Sequence, residues 1–117
     1  MEKLFVNFTN HPSEKWSKEQ VKAASEYGRI IDVPFPVVLP TLDEEGVRVL
    51  AEECAATILS LKPNAVLCQG EFTLCYDVIG LLKAEDITVL AATSRREVVE
   101  DGNIRTSAFI FERFREY

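Results

Sequence analysis

Long apolar runs, strongly basic stretches and clustered metal ligands are all missing from this chain of 117 residues. No segment approaches the roughly 20 consecutive apolar residues that span a bilayer. The opening Met1-Glu2-Lys3-Leu4-Phe5 lacks the basic region and apolar core of a secretory leader, so a cytoplasmic protein with no membrane partner is expected. Thirteen Lys and Arg stand against 19 Asp and Glu, for a formal charge of −6. That balance disfavours duplex nucleic acid as a partner, because affinity for a polyanion rests on many cationic contacts to phosphate. Histidine occurs once, as His11, and the three cysteines, Cys54, Cys68 and Cys75, form no Cys-x-x-Cys pair. A structural zinc site is therefore not expected, and the thiols read as reduced and buried. Two phosphate-binding fingerprints are also lacking: Gly-x-x-x-x-Gly-Lys, and Gly-x-Gly-x-x-Gly after the first strand. ATP hydrolysis and ordinary dinucleotide oxidoreduction lose ground accordingly. With no carboxylates clustered at the strand ends, neither a metal nor another cofactor is expected.

What is present reads as one domain over residues 1–117 with a soluble core, 47% hydrophobic and 27% charged. Its organising stretch is Asn64-Ala65-Val66-Leu67-Cys68-Gln69-Gly70-Glu71-Phe72-Thr73-Leu74. Residues up to Cys68 are short-period and apolar, whereas Phe72 to Lys83 carry apolar residues at helical spacing, so a strand gives way to a helix at Gly70. A helix start exposes unpaired N–H groups and positive partial charge, and a nearby glycine lets a phosphate approach, which makes the corner a candidate anion cradle. Many such corners in α/β proteins bind nothing.

Taken in order, Leu4 to Phe8 predicts a first strand followed by the turn cluster Thr9-Asn10-His11-Pro12-Ser13. Ser17 and Gln20 have capping-box spacing for a helix through Tyr27, closed by Gly28. Arg29 to Val33 is a second strand and Pro34-Phe35-Pro36 begins an extended link. Thr41 and Glu44 repeat the capping spacing before the stripe Val47, Leu50, Ala51, Cys54, Ile58 and Leu61, which predicts a core-facing helix. In the third helix, the expected buried side is either Tyr76, Ile79 and Leu82 or Val78 and Leu81. A fourth strand over Ile87 to Ala92 and a hairpin, Arg95 to Val99 and Ile104 to Phe114, complete the chain. The alternation predicts an α/β, Rossmann-like, mostly parallel sheet with flanking helices and a C-terminal antiparallel hairpin. Phe109, Phe111 and Phe114 are expected chiefly to pack against the core, with a subunit contact as the other reading.

In parallel α/β sheets, ligands bind beyond the carboxyl ends of the strands. That rule selects Asn7, Thr9, Asn10 and His11 after the first strand and Phe35 after the second. It adds Gln69, Gly70, Glu71 and Thr73 after the third, and Thr93, Ser94, Arg95 and Arg96 in a loop after the fourth. Donors, cations and an aromatic ring on one rim suit a phosphorylated purine. His11 is the candidate acid or base; Arg95 and Arg96 are candidates to stabilise phosphoryl charge, with pairing to nearby carboxylates as the plainer role of one of them. Trp16 reads mainly as a staple for the first helix.

The segments Asn7-Phe8-Thr9-Asn10-His11-Pro12, followed by Gln20, and Phe109-Ile110-Phe111-Glu112-Arg113-Phe114-Arg115 resemble small single-domain CRISPR-associated proteins related to the CARF fold, the Rossmann-like sensor of type III systems. The resemblance implies a homodimer that binds cyclic oligoadenylate, with the tetramer ring expected, and degrades it without metal as a ring nuclease. It also implies ligand contacts from Asn7 to His11 and from Gln69 to Thr73. Glu71 departs from the small or basic residues of many related domains. Three other readings stand beside it: a non-catalytic sponge for the same ring, a deoxyribosyltransferase-like enzyme with Glu71 as nucleophile, and an adaptor that meets another protein through its aromatic hairpin.

Overall fold

The computed structural model describes residues 2–117. Its strands are β1 (Leu4–Thr9), β2 (Arg29–Asp32), β3 (Ala65–Gln69), β4 (Thr88–Asp101) and β5 (Ile104–Glu116). Its α-helices are α1 (Lys18–Ser25), α2 (Glu44–Ser60) and α3 (Phe72–Ala84), with a single 3₁₀ turn at Ser13–Lys15. All strands join one sheet in the order β2-β1-β3-β4-β5.

The first four strands pair in parallel and the last pair is antiparallel. The antiparallel ladder, from Leu90–Glu116 to Asp101–Ile104, is as long as the three parallel ladders together. The expected mostly parallel sheet is thus a mixed one. The reason lies in β4, which does not stop at Ala92 but continues through Thr93 and Ser94 to Asp101, with a register shift between those two residues. A bulge of this kind lets a strand bend without ending. The predicted loop over Thr93 to Arg96 is therefore strand, and beyond the bulge its side chains alternate between the two faces of the sheet.

Helices cover both faces. On one, Val6, Phe8, Val66, Cys68 and Val89 meet Val47, Ala51, Ala55 and Ile58 of α2 and Leu74, Val78 and Leu82 of α3. On the other, Phe5, Leu67 and Leu90 pack with Trp16, Ala24 and Phe114. Interior strands buried on both sides account for the unbroken apolar runs in β1 and β3. The stripe expected for α2 faces the core, although its N-cap is Asp43, whose carboxylate accepts from the Gly46 N–H at 2.8 Å, rather than Thr41. In α3 the buried residues are Leu74, Cys75, Val78 and Leu82, and Tyr76 points outward.

The three C-terminal phenylalanines divide. Phe114 is buried against Phe5, with ring centroids 5.3 Å apart, Phe111 is half-buried, and Phe109 is 76% exposed. The base of the hairpin is pinned from the far side of β3, where the Tyr117 hydroxyl donates to the Cys68 carbonyl at 2.8 Å. Beyond that base the hairpin projects as a two-stranded arm. Among the described residues no helix is long and apolar enough to cross a membrane.

Candidate functional site

A cleft of 460 Å³ opens at the carboxyl ends of β1 and β3, on the face that carries α1. Chain order reverses there, since β1 is followed by β2 on one side and by β3 on the other. Such reversal points are where open α/β sheets accept ligands, because the connections leave in opposite directions and leave a gap between them. The cleft is lined by Thr9, Asn10, His11, Trp16, Gln20, Leu67, Gln69, Gly70, Ala92, Thr93, Ser94, Phe109 and Phe111.

The loop after β1 owes its shape to Asn7, which is 1% exposed. Its Nδ2 donates to the His11 carbonyl at 2.9 Å and to Asp32 Oδ1 at 3.0 Å, while its Oδ1 accepts from the Thr9 hydroxyl at 2.8 Å. The Thr9 hydroxyl also accepts from the His11 N–H at 3.0 Å, and Trp16 Nε1 donates to the His11 carbonyl at 3.1 Å. The second Asp32 oxygen accepts from the Ser13 N–H at 3.2 Å. Asn7 and Thr9 thus hold the loop, and Asn10 and His11 are what the loop presents. Trp16 is both the expected staple, edge-on to Phe5, and a wall of the cleft.

Gln69 has a structural task too. The main-chain ladder between β3 and β4 ends at Leu67–Leu90. Beyond it the Gln69 side chain takes over, accepting from the Ala92 N–H at 3.0 Å and donating to the Ala92 carbonyl at 3.4 Å.

The Gly70 corner differs from the expected cradle. A Cβ on Gly70 would lie 2.5 Å from Phe35 Cζ, so the glycine is required by the ring beneath it. Phe35 belongs to the opposite core, stacked on Phe8 at 4.8 Å, and does not line the cleft. Glu71 is the N-cap of α3: its Oε1 accepts from the Leu74 N–H at 2.8 Å and from the Thr73 hydroxyl at 2.6 Å. These bonds, the Thr73 hydroxyl first, hold the Glu71 carboxyl below its ordinary pKa. The positive end of α3 is already neutralised by the chain's own carboxylate, so Glu71 and Thr73 form a cap and stand outside the cleft lining.

Strand alternation separates the two arginines. Ser94 pairs with Phe111 and Arg96 with Phe109, so Arg96 shares the face of the cleft and lies one step beyond Ser94. Its guanidinium hydrogen-bonds the Ser107 hydroxyl at 3.1 Å. Arg95 pairs with Ile110 on the opposite face, where Glu112 at 2.5 Å and Glu97 at 3.2 Å hold it and raise its pKa, Glu112 contributing most. Arg95 is removed from the predicted site by this geometry, because from Ser94 onward the pairing is regular and successive side chains take opposite faces.

Cys75 lies away from the cleft, beneath the outer surface of α3. The neighbouring Cys75 thiol, together with burial, raises the Cys68 pKa. Among the described residues no three His, Cys, Asp or Glu side chains are grouped to hold a metal ion.

The structure therefore gathers His11, Asn10, Thr9, Gln69, Gly70 and Ser94 of the predicted set, with Arg96 at the rim, keeps Asn7 buried beneath the loop, and leaves Phe35, Glu71, Thr73 and Arg95 outside. Thr93, from the same predicted stretch as Ser94, also lines the cleft, and the structure adds Gln20, Phe109 and Phe111. The spacing of the two phenylalanines, two apart on a strand, was the available signal that both would face one way. Asp32 was also missed; its place opposite Asn7 in the neighbouring strand is visible only once the register is known.

Among the described residues no Asp or Glu lines the cleft, and His11 is its one ionisable side chain, in a chain whose formal charge is −6. The family model described as Uncharacterized protein MJ1673 family matches residues 3–115. No curated protein and no solved structure matches the chain.

Proposed function

The chain belongs to the MJ1673 family, and from its own cleft we propose that it binds a cyclic oligoadenylate, the tetra-adenylate ring first, and opens the ring by metal-independent phosphodiester cleavage. The observation that carries this reading is a carboxylate-free cleft at a chain-reversal point, walled by aromatic rings, with a cation on its rim. Trp16, Phe109 and Phe111 offer faces and edges for purine contact, while amide and hydroxyl groups of Asn10, Thr93 and Ser94 suit base edges and ribose. Arg96 supplies the charge that phosphate requires. The four parallel strands with helices on both faces support a Rossmann-like, CARF-like classification.

In the proposed reaction a ribose 2′-hydroxyl attacks the adjacent phosphorus. The O2′–P bond forms, the P–O5′ bond breaks, and a cyclic phosphate and a free 5′-hydroxyl result. His11 takes the 2′-hydroxyl proton or, in its protonated form, delivers one to the departing 5′-oxygen. Arg96 offsets charge on the phosphoryl oxygens, and the fixed loop holds the attacking oxygen in line. A cleft of 460 Å³ is at the small end of the roughly 300–1,000 Å³ usual for ligand sites and takes only part of a four-nucleotide ring. The reading therefore includes two copies of the chain, each engaging part of the ring.

The test is incubation with cyclic tetra-adenylate in EDTA, followed by chromatography of the nucleotides. Linear product that disappears in His11→Ala is expected. Neither binding nor cleavage of any ring size would overturn the proposal. Tight binding without turnover selects the sponge reading, which the presence of a single ionisable side chain in the cleft favours, since transfer of two protons is normally shared by two groups.

A further inference from the structure

The outer face of α3 has a composition that the isolated chain does not explain. Phe72, Tyr76 and Gly80 follow one another at intervals of four, so they form one stripe along the helix. Phe72 is 89% exposed and Tyr76 80% exposed. Beside them, between α2 and α3, runs an apolar groove of 740 Å³ that also includes Arg48, Glu52 and Asp77. Glycine is the poorest helix former after proline, and an exposed position in mid-helix is where it is least expected. Nothing inside the chain calls for it: a Cβ on Gly80 would meet no atom within 4 Å, and the residue does not have positive φ. Contrast Gly70, whose missing side chain is accounted for by Phe35.

We infer that this face packs against the same face of a second copy of the chain, with Gly80 of each copy admitting the Phe72–Tyr76 edge of the other. A small residue on a helix lets a neighbouring helix approach closely, which is a use for Gly80 that only a partner supplies. The rim has the character a two-fold contact needs. Arg48 makes no ion pair among the described residues although Glu52 and Asp77 share its groove. Both signs of charge on one patch let it complement itself when rotated onto its copy. The size is also adequate: four aromatic rings at roughly 150–250 Å² each supply about half or more of the ~1,200 Å² at which specific interfaces begin. The outer face of α3 lies on the side of the sheet opposite the cleft, so this contact is distinct from any that brings two clefts onto one ring and stands apart from any ligand.

Sedimentation velocity over a dilution series tests it, without nucleotide. The wild-type chain is expected to dimerise, and Gly80→Lys or Tyr76→Lys to raise the dimer dissociation constant by about tenfold or more. Gly80→Lys is the decisive variant, since the new side chain has open space in the monomer and lysine is the better helix former. Its circular dichroism and urea midpoint should match or exceed those of the wild type, which separates loss of contact from loss of fold. A monomer at every concentration overturns the inference, and so does a dimer that tolerates both substitutions. A dimer broken instead by Phe109→Ser lies on the hairpin and overturns it as well.

Discussion

Replacing Gly70 by alanine tests whether the glycine serves a ligand or the ring beneath it. The added Cβ would sit 2.5, 2.6 and 2.9 Å from three atoms of Phe35, against about 3.5–4.0 Å for an unstrained carbon contact. The ring has to retreat by roughly 1 Å, yet its other side is occupied by Phe8, with centroids at 4.8 Å. Overpacking of this kind costs about 1–3 kcal/mol. The substitution also stiffens the unfolded chain, which returns roughly 0.4–1 kcal/mol because Gly70 does not have positive φ. A net loss of about 1–2 kcal/mol is expected. With a urea slope of about 1–3 kcal/mol per molar, the unfolding midpoint falls by roughly 0.3 to 2 molar. The same substitution in a Phe35→Ala background should be neutral or stabilising, since the obstacle is gone and the entropic gain remains. A Gly70→Ala protein as stable as the wild type, or a cost identical in both backgrounds, refutes the steric account.

Four further outcomes are expected. Asn7→Leu removes the one side chain that ties Asp32 to the His11 loop, although Trp16 and Ser13 still donate to those two acceptors, costing about 1–3 kcal/mol and lowering the melting temperature by several degrees. The two arginines should separate in a binding titration with cyclic tetra-adenylate: Arg96→Gln weakens it about tenfold or more, whereas Arg95→Gln leaves it within about twofold. Because the folded state lowers the Glu71 pKa, its carboxylate contributes stability above the unfolded glutamate pKa, and that contribution fades as pH falls through the folded value. Stability curves of wild type and Glu71→Gln should therefore converge in acid and diverge toward neutrality. Gln69→Ala removes the bridge to Ala92 and should speed amide exchange at Ala92 itself, with little change at Leu90, where the main-chain ladder still pairs.

Much of the architecture was legible because hydrophobic period and punctuation agreed. The change of period at Gly70 located β3 and α3, and the stripe from Val47 to Ile58 gave the buried side of α2. The sequence misled where a local signal had two physical outcomes. Polar Thr93-Ser94-Arg95-Arg96 reads as a loop, yet pairing with β5 supplies hydrogen bonds that keep it extended, and the alternation that follows sends the two arginines apart. The glycine corner exposes helix N–H groups to any anion, and a carboxylate one residue away reaches them first. Asn7 and Thr9 were identified by type and position, but whether such groups face a ligand or bind their own loop depends on the register that sets Asn7 beside Asp32.

The amide of Gln69 carries a consequence of its own. By reaching across to Ala92 where the backbones of β3 and β4 no longer meet, it acts as a spacer whose reach fixes how far those strands splay. The aperture between them is therefore a dimension encoded in the number of methylenes in one side chain. Asparagine at that position, one carbon shorter, would draw the strands together and shrink the mouth while leaving every other lining residue in place.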